Sequence, residues 1–373
     1  MRALAVVAIA VLGLFLLAAE ADASKSRASS DYVGFNEDAF AGLHQVAPDQ
    51  YAGLVRAVGG NAIRTNLDWR LAEPELDVWA EGWWGVWEEL YDLALARGVK
   101  PIFIIGFAPQ WARDTGPGCG KPLFLPLAHD PGFGNCELPP SPQMDLEWVE
   151  YAAEVARRFP EATIEVWNEP NTDDYWRPAP DPKRFAELLT LAYHAIKAVS
   201  PRTEVIMGGL LNVRRTDPRK GEASVRDFLA GAYGSLPSVE GSADYIGLHP
   251  YPSGASVGEG SRFRKAFEDV RAIRDAHEDE TPILVTETGV STADLLFAPE
   301  RRQATALQRI NRYVESMPDV AGVLYHRVVE PRDTTANLRE HGYAWLRYGG
   351  SPLEPRPVFC RFVAAAGRSY PAC

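Results

Sequence analysis

Two glutamates stand where a carboxylate is hard to keep. Glu169 directly follows the apolar run Thr163-Ile-Glu-Val-Trp-Asn168, and Glu287 closes the run Pro282-Ile-Leu-Val-Thr-Glu287. A charge at the end of such a run is costly unless it is paired or used. Two carboxyl groups brought face to face suit glycoside cleavage. One, as the acid, protonates the leaving oxygen; the other attacks or stabilises the oxocarbenium-like carbon. A separation of roughly 5–5.5 Å gives retention through a covalent intermediate, and about 6.5–9.5 Å leaves room for a water and gives inversion.

Other polar residues share this placement. Arg64 lies in Asn61-Ala-Ile-Arg-Thr-Asn66, and Asp68-Trp69 follows it. His249-Pro250-Tyr251 ends the run Asp244-Tyr-Ile-Gly-Leu-His249, and Tyr325-His326 ends Ala321-Gly-Val-Leu-Tyr-His326. These runs belong to one alternation along the chain, in which each short β-branched segment is followed by a longer one of helical period. The remaining strands are Asp31–Asn36, Lys100–Gly106 and Glu204–Gly209. Helices are predicted near Pro48–Val58, Trp87–Arg97, Asp145–Phe159, Ser224–Tyr233, Arg262–His277 and Pro357–Ala366, with others opening at Asp181-Pro182 and near Pro299. Asp181 before Pro182 pairs an N-cap with a proline at the first helical position.

Eight strand–helix units in order predict a single-domain (β/α)8 barrel, in which chemistry gathers at the C-terminal ends of the strands. A doubly wound open sheet is the alternative. It often carries a Gly-rich phosphate loop after its first strand, whereas here that strand runs into Gly34-Phe-Asn-Glu37.

Trp167-Asn168-Glu169-Pro170, Arg64, His249-Pro250-Tyr251 and Glu287 together resemble the clan A glycoside hydrolases, with families 5 and 39 closest, from about Asp31 to Ala366. The resemblance implies that Glu169 is the general acid/base and Glu287 the nucleophile of a retaining double displacement. It implies that Asn168 holds the sugar 2-hydroxyl and that Arg64 lies beneath Glu287 and keeps it ionised. Tyr251 would hydrogen-bond Glu287, and His249 would orient the acid/base or the substrate. One departure stands out. Family 5 usually has a tryptophan at the end of strand eight, where this chain has Tyr325 and His326. Either residue is expected to substitute, with Trp69, Trp111, Tyr175 and Trp176 as further sugar platforms. Trp83, Trp84 and Trp87 are expected to pack their helix, and Asp68 and Glu73 to be structural.

Composition narrows the partners. The chain has 373 residues, a formal charge of −12 and no Lys/Arg-rich run, which argues against nucleic acid and anionic membrane partners. Arg2, the apolar stretch Ala3–Ala19 and the Ala21-Asp22-Ala23 site read as a secretory signal peptide, 1–23, leaving a catalytic domain from 24 to 373. An uncleaved anchor is the alternative. The expectation is a secreted monomer, off the membrane once processed, acting on an oligo- or polysaccharide. Four cysteines in a secreted chain suggest disulfides, and the nearest-neighbour pairing is Cys119–Cys136 with Cys360–Cys373. No clustered ligand set or phosphate-cradling loop is present, so neither a metal nor a cofactor is expected. A transglycosylase on the same site and a non-catalytic carbohydrate-binding protein remain the rival readings.

Overall fold

The structure, a computed structural model, describes residues 32–36, 46–113, 138–331, 338–349 and 353–373. The segments holding the signal-peptide reading and Cys119–Cys136 lie outside those residues. Eight parallel strands close on themselves in chain order: β1 (Tyr32–Asn36), β2 (Ala62–Asp68), β3 (Lys100–Gly106), β4 (Thr163–Asn168), β5 (Glu204–Leu211), β6 (Tyr245–His249), β7 (Ile283–Thr288) and β8 (Val320–His326). The last strand pairs in parallel with the first, Tyr32 opposite Gly322 and Asn36 opposite His326. Around the barrel run α1 (Pro48–Ala57), the single turn α2 (Trp69–Ala72), α3 (Glu81–Ala96), α4 (Asp145–Arg158), α5 (Pro182–Val199), α6 (Val225–Ser235), α7 (Arg262–Arg274), α8 (Pro299–Glu315), α9 (Leu338–Tyr343) and α10 (Pro357–Ala365). Two two-residue strands, β9 (Leu346–Arg347) and β10 (Glu354–Pro355), pair antiparallel beyond the barrel. This is the single-domain (β/α)8 architecture that the alternation predicts. Asp181 caps α5 as read, accepting hydrogen bonds from the Lys183 and Arg184 amides with Pro182 at the first turn.

Side chains two apart on a strand share a face, and that period separates two cores. Outward-facing residues pack against the helices in one continuous apolar cluster. Inward-facing residues form a second, separate one: Tyr32, Ala62, Ile102, Ile206, Tyr245, Leu284, Ala321 and Leu324. Two residues further along the strands, the same inward face changes character. Ala62 is followed by Arg64, Leu284 by Thr286 and Leu324 by His326, and β4 and β6 contribute Glu165 and His249. The barrel is thus plugged with hydrocarbon below and carries a charged, hydrogen-bonded layer directly above it, at the ends where the strands stop. Cys360 and Cys373 form a disulfide that ties α10 to the C-terminus. Among the described residues, no helix is long and apolar enough to cross a membrane.

Candidate active site

Arg64 is the hub of the polar layer. It is 1% exposed, and its five N–H donors all find acceptors. Nε and Nη2 fork onto Glu165 at 2.5 and 3.0 Å. Nη2 also donates to Asn168 Oδ1 at 2.8 Å, and Nη1 to Asn36 Oδ1 at 2.6 Å and Glu287 Oε2 at 3.2 Å. The expectation that Arg64 lies beneath Glu287 matches this position. A direct hold on substrate does not, because no donor is left over. Its bond to Asn168 Oδ1 leaves that residue's amide nitrogen as the group available to a ligand.

Glu165 completes the floor. Besides Arg64 it accepts from the Gly209 amide at 2.7 Å and the Thr286 hydroxyl at 3.3 Å. That hydroxyl proton is then spent on Glu165, so Thr286 Oγ1 must accept from His249 Nε2, 3.1 Å away. That leaves Nδ1 facing Glu169 Oε1 at 2.7 Å, with one proton held between the ring and the carboxyl. His249 is fully buried, so it orients Glu169 and does not reach a ligand.

Gly209 permits this contact. A Cβ there would lie 2.1 Å from His249 Nε2 and 2.7 Å from Thr286 Oγ1. Gly209→Ala is expected to cost about 1–3 kcal/mol through overpacking, read as a lowered denaturant midpoint. An unchanged midpoint would mean that the layer is looser than these distances.

The glutamates occupy opposite electrostatic environments. One oxygen of each, with a ring nitrogen of His249, lies within 4.8 Å of the others. Burial pushes the Glu169 carboxyl above the ordinary range, opposed by its bond to His249 and assisted by the charge of Glu287. Burial also acts against ionised Glu287. There the positive neighbours win: His249, His326 and Arg64, with the Tyr251 hydroxyl bonded to Oε1, hold it down at about 2. Burial disfavours the His326 imidazolium, but Glu287 and a 2.8 Å bond from Nε2 to Glu340 outweigh it and raise its pKa. The trio of Glu169, His249 and Glu287 has the composition of a cation site. Its atoms are already engaged with one another and with Thr286, Tyr251 and Arg64, and the guanidinium repels a cation.

Local backbone reinforces the arrangement. Trp167 and Glu169 both adopt left-handed conformations, φ 70° and 42°. Each costs on the order of 1–3 kcal/mol in a residue with a side chain, and such strain gathers at functional sites. The Glu169 amide is held by Gly209 O at 3.0 Å, and the Trp167 indole by Tyr175 O at 2.7 Å.

The aromatic expectations need correction. Trp69 is fully buried, stacked on Tyr151 and bonded through Nε1 to Glu73, because α2 begins at Trp69 and its turn carries the ring into the helix layer. Trp176 is 1% exposed, wedged between Trp167 and Phe185. Tyr325 points outward by strand alternation, packing on Trp345 and Phe362 with its hydroxyl on Asn311. None of the three offers a face to a ligand. Trp111 is only partly buried but donates its indole N–H to Glu73 O. His326 does reach the layer, with Nδ1 4.0 Å from Glu287 Oε1 and its ring edge-on to Tyr343. Glu340 and Tyr343 were invisible to sequence reading. Both come from α9, beyond the last strand, where no periodicity points inward.

Backbone comparison decides the fold. A family 39 glycoside hydrolase from the gut symbiont Bacteroides cellulosilyticus superposes with a TM-score of 0.56 at 20% identity, covering 89% of this chain and 62% of that one. An exo-β-1,4-mannosidase from an Opitutaceae bacterium gives 0.62 at 17%, covering 91% and 59%. The fold is the (β/α)8 barrel that these glycosidases also have. A β-glucosidase from Pyrococcus furiosus shares this barrel at a TM-score of 0.59 and 16% identity, covering 88% of this chain and 84% of that one. The chain spans about three fifths of the length of the first two. No protein-family model and no curated protein matches the sequence.

Proposed function

We propose that this protein is a secreted, monomeric retaining glycosidase that cleaves β-linked oligo- or polysaccharides. One observation carries the reading: two carboxylates at the mouth of a clan A barrel, with oxygens within 4.8 Å, are pushed in opposite directions by their surroundings. A pair whose pKa values are driven apart has its acid and base roles assigned.

In this scheme a Glu287 oxygen attacks the anomeric carbon while Glu169 gives its proton to the departing glycosidic oxygen. The glycosyl ester removes the Glu287 charge, so Glu169, now ionised, takes a proton from the incoming water. That water cleaves the ester and restores both groups. In the same scheme the Asn168 amide bonds the 2-hydroxyl, and Tyr251, bonded to Glu287, steadies the attacking carboxylate. With Trp69, Trp176 and Tyr325 packed away, Tyr251, His326 and Tyr343 are rings beside Glu287, among the described residues, that would wall the sugar.

The protonation states set the pH dependence. Catalysis needs Glu287 ionised and Glu169 protonated. Activity is therefore expected to fall in acid only near the depressed Glu287 value of about 2, and in alkali only above the ordinary carboxylate range, because Glu169 is raised. The test is kcat/KM against pH on a phenyl β-glycoside, whose leaving group needs the acid, beside a dinitrophenyl β-glycoside, whose leaving group does not. Wild type should show the alkaline limb on the phenyl glycoside, and Glu169→Gln should lose that limb while still cleaving the dinitrophenyl one. Persistence of that limb in the variant would remove Glu169 from the role.

A further inference from the structure

The outer face of α8 carries a row of arginines on an acidic molecule. Arg301, Arg302, Arg309 and Arg312 project within an arc of about 100°, along roughly 16 Å of helix. The side facing the barrel carries Gln303, Leu307, Ile310 and Val314, all buried. A solvated helix face normally mixes signs, and this stripe does not. The helix acids lie off the arc and are engaged elsewhere: Glu300 by Arg347 and Arg356, Glu315 by Asn311. Asp294 nearby is paired with Arg339.

Beside the β6–α7 loop the stripe borders two shallow, adjoining depressions that share Arg309. One is bounded by Ser253–Ser256, Asp294, Arg301 and Arg302, the other by Val257, Gly258, Arg264 and Arg312. Several of these guanidinium groups are pre-positioned by backbone carbonyls. Arg302 donates to Leu296 O at 2.7 Å, Arg312 to Gln308 O at 3.3 Å, and Arg264 to Val257 O at 3.2 Å while lying over the Tyr313 ring. Among the described residues, none of the five arginines forms an ion pair with an acid of this chain.

We propose that this groove is a second glycan-binding site, outside the barrel mouth, for a polysaccharide bearing carboxylates on successive sugars. The proposal rests on the glycosidase reading for the choice of a glycan. Planar guanidinium forks match carboxylates. Single exposed ion pairs contribute little, so a row of them discriminates in favour of a polymer that engages several at once. Such a site would hold an acidic chain against the enzyme without entering the cleft.

The test is calorimetric titration of the full-length Glu287→Gln protein, which removes turnover, with β-1,4-linked mannuronate oligomers. The same oligomers after carboxyl reduction serve as the neutral control. Expected are binding to the acidic oligomers that weakens steeply between 20 and 200 mM salt, no binding to the reduced ones, and at least tenfold weaker binding in Arg301→Ala/Arg309→Ala/Arg312→Ala. The triple change in the otherwise wild-type chain should leave aryl glycoside hydrolysis unchanged, which separates this site from the cleft and shows the variant folded. Equal affinity for the reduced oligomers, an unchanged affinity in the triple variant, or equally tight binding of duplex DNA would each overturn the proposal. Loss of the glycosidase reading would show instead as wild type failing on every glycoside.

Discussion

Replacing Glu287 by Gln is expected to lower turnover at least about 10⁴-fold, on the order of 5 kcal/mol or more of transition-state stabilisation. The substitution keeps volume and the acceptor for Tyr251 but removes the charge that attacks the anomeric carbon. The folded state should tolerate it well, because the groups that hold Glu287 ionised, namely His249, His326 and Arg64, keep other partners: Glu169, Glu340 and Glu165. Sugar release from a panel of aryl β-glycosides and β-linked polysaccharides, wild type beside variant, reads the effect directly. Glu287→Ala with added azide gives an independent check. A small anion occupying the vacated space should attack from that side and yield the glycosyl azide of inverted configuration. A loss below about tenfold in Glu287→Gln would place the nucleophile elsewhere. Release by neither protein would point to a glycan outside the panel or to a binding protein, and direct glycan binding would distinguish them.

Much of this site was legible because a barrel has two simple rules. Buried parallel strands are apolar on both faces, so β3 and β4 are readable end to end at Lys100–Gly106 and Thr163–Asn168. Catalytic groups then sit where those strands stop, which singles out Glu169, His249 and Glu287 without any structural information. Residues at and just past the strand ends do not all face the mouth. Alternation along Leu324-Tyr325-His326 already separates the inward histidine from the outward tyrosine. Trp69 could not be resolved that way, because one turn of α2 begins at that residue and a helical period replaces the strand period there. Strand alternation alone would put Glu165 on one face with Trp167. The left-handed backbone at Trp167 breaks that shared face, and Glu165 turns inward to Arg64. Glu340 lies fourteen residues beyond the strand end it serves, and only the folded chain reveals it.

Arg64→Met is the sharper test of how stability and chemistry share one layer. The arginine is 1% exposed and Glu165 is fully buried, so the change strands a charge where water cannot reach it. Removing one partner of a buried pair costs on the order of 3–5 kcal/mol, whereas replacing both by hydrocarbon can be nearly neutral. Arg64→Met alone is therefore expected to lower the denaturant midpoint sharply, and Arg64→Met/Glu165→Met to recover most of the loss. Activity should not follow that recovery. The double variant still lacks the cation beside Glu287 Oε2 at 3.2 Å and the donor that orients Asn168, and it also lacks the carboxylate that orders Thr286 and, through it, His249. Its activity should stay depressed by about 10²-fold or more, close to 3 kcal/mol, with the acid limb of its pH profile moved upward as Glu287 loses a positive neighbour. Recovery of stability and activity together would make the pair a structural element alone. Recovery of stability with activity still low and the acid limb displaced would show that the buried arginine is kept for the charge state of Glu287 and not for the fold.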